Sequence, residues 1–439
     1  MVVFVTEREQ FEMGVAADAV LRLGMMLMGA GTSGYRVIRG MKRTARAMGF
    51  DYLDAVVGVT QITCTFHKGE RFRTVASQQN HLAVDASRIE ALENFTHNLD
   101  RKIDAAELNA ELDRIESTVR RRWSRLILVC AAAVACAAFA VLNHFTLPEV
   151  ALVAVAAGSG QWVRSVLASH HVHQLGGVVA SGMVASLVFY LLAAGLVPLG
   201  FPGIGSLTAG YVAAVLFLVP GFPLFSAMID LGRFDFDAGL ARLAYALVVI
   251  FAATFSVALV SGATGLNPQP VAVPSGSIDP AWLALAAAAS FLGIAGFAFL
   301  FNSSRRMVVV AASIGTVANT LRMLLLELDA NGYFAAFCAG MVIGLIGAVA
   351  AKKADLPRVT TTVPAAVILI PGTSMFRAVY YLNAGNMNDA LSNTATAAMT
   401  VLAISMGLVM SRMLTDRDWA LGKLIDFDKQ LVDGVPRRT

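Results

Sequence analysis

The chain has 439 residues, of which 57% are hydrophobic and only 15% are charged. A soluble domain carries about 25% charged residues, so this composition excludes a wholly soluble protein. The formal net charge of +4 is spread over loops and one arginine cluster, which argues against a nucleic-acid-binding protein.

The charged residues concentrate at the N-terminus. Residues 1–124 hold 17 Lys/Arg and 16 Asp/Glu, whereas residues 126–411 hold nine Asp/Glu over more than twice the length. We therefore predict a cytosolic α/β domain over 1–124 that precedes a membrane part.

Two helices and three strands are predicted at the start of this domain. Apolar residues at helical spacing predict a helix over 10–30, and Gly-Thr-Ser-Gly at 31–34 ends it. Thr32 or Ser33 can cap the next helix, because a hydroxyl oxygen accepts hydrogen bonds from the first free backbone N–H groups. Three β-rich runs follow, the last two joined by a hairpin turn at Lys68-Gly69-Glu70: 52–59, 60–67 and 71–76.

No catalytic or metal-binding motif marks the N-terminal domain. It lacks a phosphate-binding loop, a nucleophile elbow and paired metal ligands, and Cys64 and His67 form an isolated pair that is more typical of structure than of catalysis. We therefore predict no cofactor, no metal and no enzymatic activity. A regulatory or assembly module is the preferred interpretation of this domain, and a membrane-anchored hydrolase is the alternative from another class.

Ten apolar segments follow, each close to the length of about 20 residues that crosses a bilayer core of about 30 Å. The second is the weakest, because Gln161, Arg164 and Ser165 interrupt it. The predicted spans are 126–145, 147–168, 175–197, 203–229, 239–262, 281–301, 306–326, 331–351, 359–382 and 390–411.

The basic residues predict which loops face the cytosol. With the N-terminal domain inside, the inner loops carry Lys, Arg or His, whereas the outer loops contain no Lys or Arg. This agrees with the positive-inside rule at every loop and places both termini in the cytoplasm. The predicted outer loops are 144–148, 198–202, 263–280, 327–330 and 383–389.

Three sequence matches in the same order indicate an internal repeat. VPGFPLFSAMID aligns with IPGTSMFRAVYY, so that Pro220-Gly221 falls on Pro371-Gly372. Upstream, ASGMVASLV resembles CAGMVIGLI, and AAGSGQWVRS resembles AASIGTVANT. We therefore predict two repeats of five spans each and then a cytosolic tail, over 125–265, 275–415 and 416–439.

An odd number of spans makes the second repeat enter the membrane from the opposite face. The two repeats would then be inverted, which is the architecture of many secondary transporters. Breaks at matching positions free backbone groups that a polar substrate can satisfy and lipid cannot. We therefore predict a polytopic all-α membrane protein whose substrate binds at Pro220, Gly221, Pro371 and Gly372. Simple kinks for helix packing are the alternative interpretation.

A few polar residues within the spans complete the predicted site. Arg377 is the candidate carboxylate clamp, because a guanidinium group binds a carboxylate through two hydrogen bonds, and Tyr381 shares its segment. Snorkelling to the interface is the alternative for this arginine. Asp230 is the candidate for proton coupling, with a solvated inner loop as the alternative. The first repeat and the second repeat add four further candidates, Arg164, Ser165, Asn319 and Thr320.

Four stretches of the chain are similar to one family. LRLGMMLMGAGTSGYRVIRGMKRTARAMG and VDASRIEALENF lie in the soluble part, and LVPGFPLF and LIPGTSMFRAVYYL contain the two Pro-Gly pairs. They resemble the bacterial threonine/serine exporter family over nearly the whole chain. In some bacteria the halves of this family occur as two proteins, similar to residues 1–265 and 275–415, that are associated with succinate export.

The resemblance implies a secondary active exporter in the bacterial inner membrane. The expected substrates are small amino acids such as threonine and serine, with the proton-motive force as the driving force. A dicarboxylate such as succinate is the alternative substrate. The expected partners are the substrate, protons and the lipid bilayer, without nucleic acid, and a homo-oligomer is left open.

Overall fold

The computed structural model describes residues 2–79, 83–119, 122–196, 210–266, 279–421 and 427, with the backbone alone for residues 2–9. Several predicted features lie outside the described residues: Arg120 and Arg121 of the arginine cluster, the outer loop 198–202, most of the outer loop 263–280 and most of the tail 416–439.

The chain divides into two compact units. Unit 1 comprises Met1–Arg122, Ser226–Leu243 and Asp416–Thr439, and unit 2 comprises Trp123–Phe225 and Ala244–Thr415. The domain boundaries drawn from the sequence remain a prediction.

The elements are given in chain order. The first part of the chain contains α1 (Val2–Gly29), α2 (Gly34–Ala47), β1 (Tyr52–Val57), β2 (Gln61–Lys68), β3 (Arg71–Gln78), α3 (Ala86–His97) and α4 (Ala105–Thr118). The helices that follow are α5 (Arg125–Leu142), α6 (Leu147–Ser169), α7 (Gln174–Leu196), α8 (Gly210–Ala213), α9 (Gly221–Leu231) and α10 (Phe236–Thr264). The last are α11 (Pro280–Leu300), α12 (Arg305–Glu327), α13 (Gly332–Ala354), α14 (Arg358–Val367), α15 (Gly372–Asn383), α16 (Met387–Thr415) and α17 (Arg417–Ala420).

Unit 1 is built on an antiparallel sheet in the order β1-β2-β3. Alternate residues of β2, Ile62, Cys64 and Phe66, are buried in a core that also contains Leu23 of α1, as expected for a strand with one covered face. The predicted hairpin is present: Lys68 pairs with Arg71 across a two-residue turn. Glycine suits the first turn residue, because its φ is +61°.

Unit 2 contains the membrane helices. Among the described residues, eight helices are long and apolar enough to cross a membrane: α5, α6, α7, α10, α11, α12, α13 and α16. Two further segments pass the same test only as bent pairs. The pair 210–218 and Gly221–Leu231 bends by 63°, and the pair α14 and α15 bends by 53°. The described residues therefore form a mainly helical structure with eight candidate membrane spans, or up to ten if each bent pair counts as one.

The helices α5 and α11 pack against each other in opposite directions. The Trp123 indole N–H donates to the Ser303 carbonyl oxygen at 2.9 Å, near the start of α5 and the end of α11. At the other ends, the rings of His144 and Trp282 stack with centroids 4.0 Å apart. Between them, a Cβ on Gly296 would lie 2.9 Å from the Cβ of Ala135, so the glycine allows the two backbones to approach.

Two other helix crossings depend on small residues. A Cβ on Gly182 of α7 would collide with the side chain of Ser256 on α10. A Cβ on Gly407 of α16 would collide with the α13 backbone, including the amide nitrogen of Met341 at 2.6 Å. The helix pairs α7–α10 and α13–α16 therefore both pack closely at a glycine.

Candidate functional site

Both Pro-Gly pairs interrupt a helix with the same backbone hydrogen bonds. The N–H of Gly221 donates to the Val219 carbonyl at 2.8 Å, and the N–H of Gly372 donates to the Ile370 carbonyl at 2.8 Å. The two bonds before each break also match: the N–H groups of Leu218 and Val219 donate to Val215 and Leu216, as those of Leu369 and Ile370 donate to Ala366 and Val367. Proline causes the interruption, because it lacks an N–H and clashes with the preceding turn.

The two breaks meet in unit 2. A Cβ on Gly221 would lie 2.8 Å from Cδ1 of Ile370 and 2.9 Å from a methyl group of Val367. A Cβ on Gly372 would collide with a methyl group of Leu216. The structure therefore brings together the four predicted site residues Pro220, Gly221, Pro371 and Gly372, and a side chain at either glycine would displace the apolar side chains packed against it.

One arginine and three tyrosines lie on two helices next to the breaks, α8 before the first and α15 after the second. Arg377 and Tyr381 of α15 lie within electrostatic range of Tyr211 on α8, as does Tyr380. The rings of Tyr380 and Tyr381 have their centroids 5.4 Å apart in an edge-on arrangement. Arg377 is partly buried, so its charge faces a medium less polar than bulk water.

This arrangement can bind an anion. The N-termini of α9 and α15 lie at the breaks and carry positive partial charge, which favours a carboxylate. Arg377 adds a full positive charge with paired donors, and the tyrosine hydroxyls can donate or accept. The described residues hold no group of three or more His, Cys, Asp or Glu that could bind a metal ion.

The remaining candidates of unit 2 have other neighbours. Arg164 lies near Tyr245 of α10, and Ser165 accepts a hydrogen bond from the Gln161 amide at 3.3 Å. The Asn319 amide, whose residue is only 1% exposed, donates to the Ser290 hydroxyl of α11 at 2.8 Å. The hydroxyl of Thr320 is buried without a hydrogen-bond partner in the part of the chain described. A role for these four residues in substrate binding remains a prediction.

Asp230 belongs to unit 1, where it binds the start of α2. Its Oδ2 accepts the Gly34 N–H at 3.3 Å and lies 3.7 Å from a guanidinium nitrogen of Arg242. Ser33 stands at the N-cap position, yet its side chain makes no capping hydrogen bond. The prediction that a hydroxyl of Thr32 or Ser33 caps α2 is therefore wrong, because the Asp230 carboxylate, 196 residues further along the chain, accepts the hydrogen bond of the first helical N–H.

Comparison with known proteins identifies the family. A family model described as "Putative threonine/serine exporter" matches residues 18–263, and a second model described as "Threonine/Serine exporter, ThrE" matches residues 286–414. The chain belongs to the threonine/serine exporter family. It is therefore a multi-pass membrane protein of a family of exporters that move small molecules, not of a family of enzymes.

Two curated relatives each match about half of this chain. The chain is 24% identical over 252 residues to the "Probable succinate transporter subunit YjjP" of Escherichia coli K12, a match that covers 56% of this chain and 94% of the relative. It is 23% identical over 227 residues to the protein of the same description from Klebsiella aerogenes, over 51% of this chain and 84% of the relative. No solved structure matches the chain.

Tyr211 is the residue of this candidate site that sequence reasoning missed. Its residue is 0% exposed. Its hydroxyl lies close enough to the Ser261 side chain to interact with it, although the two do not form a well-aligned hydrogen bond. The Ser261 hydroxyl itself donates to the Leu266 carbonyl oxygen at 2.5 Å. The signal available in the sequence was the place of Tyr211 nine residues before Pro220.

Proposed function

We propose that the protein is a secondary active exporter of small amino acids such as threonine and serine, driven by the proton-motive force across the bacterial inner membrane. The observation that carries this proposal is the meeting of two broken helices beside Arg377. Crossed breaks supply backbone dipoles, and the arginine supplies a charge that suits the carboxylate of an amino acid. Tyr381 and Tyr211 would then bind the polar remainder of the substrate.

We propose that ten spans form two inverted five-helix repeats. The matching hydrogen bonds at the two breaks support this arrangement. So does the antiparallel packing of α5 on α11, because the first helices of inverted repeats run in opposite directions. The glycine crossings of α7–α10 and α13–α16 also correspond, since Gly182 aligns with Gly340 and Ser256 aligns with Gly407.

The proposed topology places both termini in the cytoplasm. The absence of Lys and Arg from the predicted outer loops supports it. Reporter fusions at residues 263–280 and at the C-terminal tail provide the test: the first should report the periplasm and the second the cytoplasm. A cytoplasmic signal from 263–280 would contradict both the sidedness and the inverted repeat.

Efflux from cells tests the substrate. Cells that lack other threonine exporters are fed a threonine-containing dipeptide, and internal and external threonine are followed with and without this protein. We expect faster efflux with the protein, and collapse of the proton gradient by an uncoupler should abolish the difference. Pro371→Ala should insert normally and export more slowly. Equal efflux with and without the protein would remove threonine as a substrate.

A dicarboxylate is the second candidate substrate. It is favoured by the similarity to relatives described as succinate transporter subunits. The same cells provide the test when external succinate is measured in parallel. Succinate release that depends on this protein, without threonine efflux, would replace the amino acid by a dicarboxylate while leaving the exporter proposal intact.

Asp230 is the proposed proton-coupling residue. It is 1% exposed, and Arg242, its ion-pair partner, is 5% exposed. A change in the protonation of Asp230 would therefore strongly change its electrostatic interactions with the surrounding groups. Asp230→Asn should abolish export against a gradient while leaving exchange of threonine for threonine. Loss of exchange as well, in a normally inserted variant, would argue for a structural role instead.

A further inference from the structure

Within unit 1, the turn between α9 and α10 is held by the loop between α1 and α2. The Gly34 N–H donates to Asp230, and the Arg242 guanidinium donates to the carbonyl oxygen of Thr32 at 2.8 Å. Asp230 and Arg242 thus bind two successive parts of one loop, so the loop and the turn are held together at two points.

The contact also leaves no room for a side chain at position 34. A Cβ on Gly34 would lie 2.8 Å from the Cβ of Ala238 and 2.9 Å from Oδ2 of Asp235. Both distances are shorter than real Cβ atoms show. Gly34 therefore lets the start of α2 reach the α9–α10 turn, and any larger residue would separate them.

A third segment joins the same contact. The guanidinium carbon of Arg233 lies 3.8 Å from the centroid of the Tyr35 ring, an arrangement that attracts the cation to the ring. The same arginine donates to the carbonyl oxygen of Trp419 on α17 at 3.3 Å. The start of α2, the turn and the C-terminal helix are therefore held together by one arginine.

These contacts are specific but not tight. The ion pair between Asp230 and Arg242 is 3.7 Å long and buried, and a buried pair at that distance recovers only part of its desolvation cost. The hydroxyls of Thr32 and Ser33 are buried without hydrogen-bond partners among the described residues. Because some buried polar groups of this contact lack hydrogen-bond partners among the described residues, separating the loop from the turn costs less free energy than breaking a fully hydrogen-bonded contact.

We propose that unit 1 controls the transport cycle through this contact, which we call the latch: the loop 31–34 is bound to the α9–α10 turn in one state of the cycle and is separated from it in another. Helix α9 connects this contact to the first break. It begins at Gly221, directly after the first break, and ends beside the gripped turn. Holding Asp230 therefore restrains the helix whose other end forms part of the proposed binding site.

The first experiment measures opening directly, in the full-length protein. Cys64, Cys130, Cys136 and Cys338 are replaced by alanine, and Ser33, which is 2% exposed, becomes the one cysteine through Ser33→Cys. Inverted membrane vesicles present the cytosolic face of the proposed topology to a membrane-impermeant maleimide. We expect slow labelling at rest and faster labelling when the vesicles are energised and threonine is added. Equal rates in the two conditions, in a protein that exports threonine in the efflux assay, would overturn the latch.

The second experiment forces the contact apart. Gly34→Ala in the Ser33→Cys background should raise the resting labelling rate about fivefold, the shift expected from loss of one helix cap. Gly58→Ala is the matched control, because a Cβ there meets its nearest neighbour only at 3.4 Å. An unchanged resting rate in the Gly34→Ala variant would also overturn the proposal.

Transport distinguishes this inference from the proposed function on which it rests. Gly34→Ala should slow export without altering the ratio of threonine to serine transported, because the substrate-binding groups are untouched. If the parent protein exports neither amino acid, the proposed substrate is wrong, but the resting-label comparison of Gly34→Ala with Gly58→Ala still tests the latch. If the variant changes the threonine-to-serine ratio, the loop affects substrate choice and the latch is wrong.

Discussion

The two broken helices share a backbone and differ in their side chains. Each turns through the same hydrogen bonds at Pro-Gly, with bends of 63° and 53°. Around the first break the sequence is VPGFPLF, which is wholly apolar apart from the backbone. The equivalent segment at the second break, IPGTSMF, contains Thr373 and Ser374, and it is followed by Arg377, Tyr380 and Tyr381.

This difference separates the backbone geometry of the breaks from the chemistry of the side chains around them. Duplication would explain why both helices break alike, since the proline and glycine act on the backbone alone. Recognition of a charged metabolite needs side chains, and in the proposed site most of them come from the second helix, with Tyr211 as the contribution of the first. In the proposed inverted-repeat arrangement, the two helices would offer different groups to the two ends of an asymmetric substrate.

The largest expected effect comes from removing the guanidinium group. Arg377→Ala should lower threonine export about 100-fold, because a hydrogen bond to a charged group contributes about 1.5–3 kcal/mol. Arg377→Lys should recover part of the loss, since it keeps the charge without the paired donors. Initial efflux rates at equal membrane expression give the measurement. Arg305→Ala, an exposed arginine at the start of α12, is the control and should export normally.

The two prolines test whether the breaks are equivalent. Pro371→Ala should slow export about tenfold, because proline opposes a straight helix by about 3 kcal/mol or more. Pro220→Ala should slow it less, since fewer polar groups depend on the position of that helix. Export rates of the two variants and of the double variant provide the comparison. A larger effect at Pro220 would mean that the first break, not the second, carries the substrate.

Removal of one hydroxyl tests the contribution of the first helix. Tyr211→Phe should reduce threonine export about fivefold, the effect of losing one neutral hydrogen bond of about 1 kcal/mol. Tyr333→Phe, a partly exposed tyrosine at the start of α13, is the matched control. Unchanged export in the Tyr211→Phe variant would leave the substrate-binding groups on the second helix alone.

The smallest effects are expected on stability, and they compare the two glycine crossings. Gly407→Ala should destabilise the protein by about 2 kcal/mol, because the new methyl group meets backbone atoms that cannot rotate away. Gly182→Ala should cost about half as much, since it meets the Ser256 side chain, which can change rotamer. Thermal unfolding in detergent measures both. Gly262→Ala is the control: it lies in α10, where a Cβ meets nothing within 4 Å, so it should leave the midpoint unchanged or raise it slightly, because alanine favours the helix.

Much of the membrane architecture could be predicted from the pattern of residues. The apolar segments predicted at 126–145 and 306–326 correspond to α5 and α12, and the break at Pro371 was placed correctly. These features depend on local properties, namely apolar length and the missing N–H of proline. The described contacts of Arg164 and Asn319 do not include the residues of the two breaks. The alignment of the two repeats shows which positions are equivalent, but not which positions lie close together.

The sequence by itself determined where the chain enters an apolar medium, where its helices break and that the two breaks correspond, because each of these follows from neighbouring residues. Only the tertiary structure decided that Tyr211 lies within electrostatic range of Arg377 and that Asp230 caps a helix formed 196 residues earlier. Such pairings join distant parts of the chain, and they depend on how closely helices pack at glycines such as Gly34 and Gly221. Local periodicity carries no information about that packing.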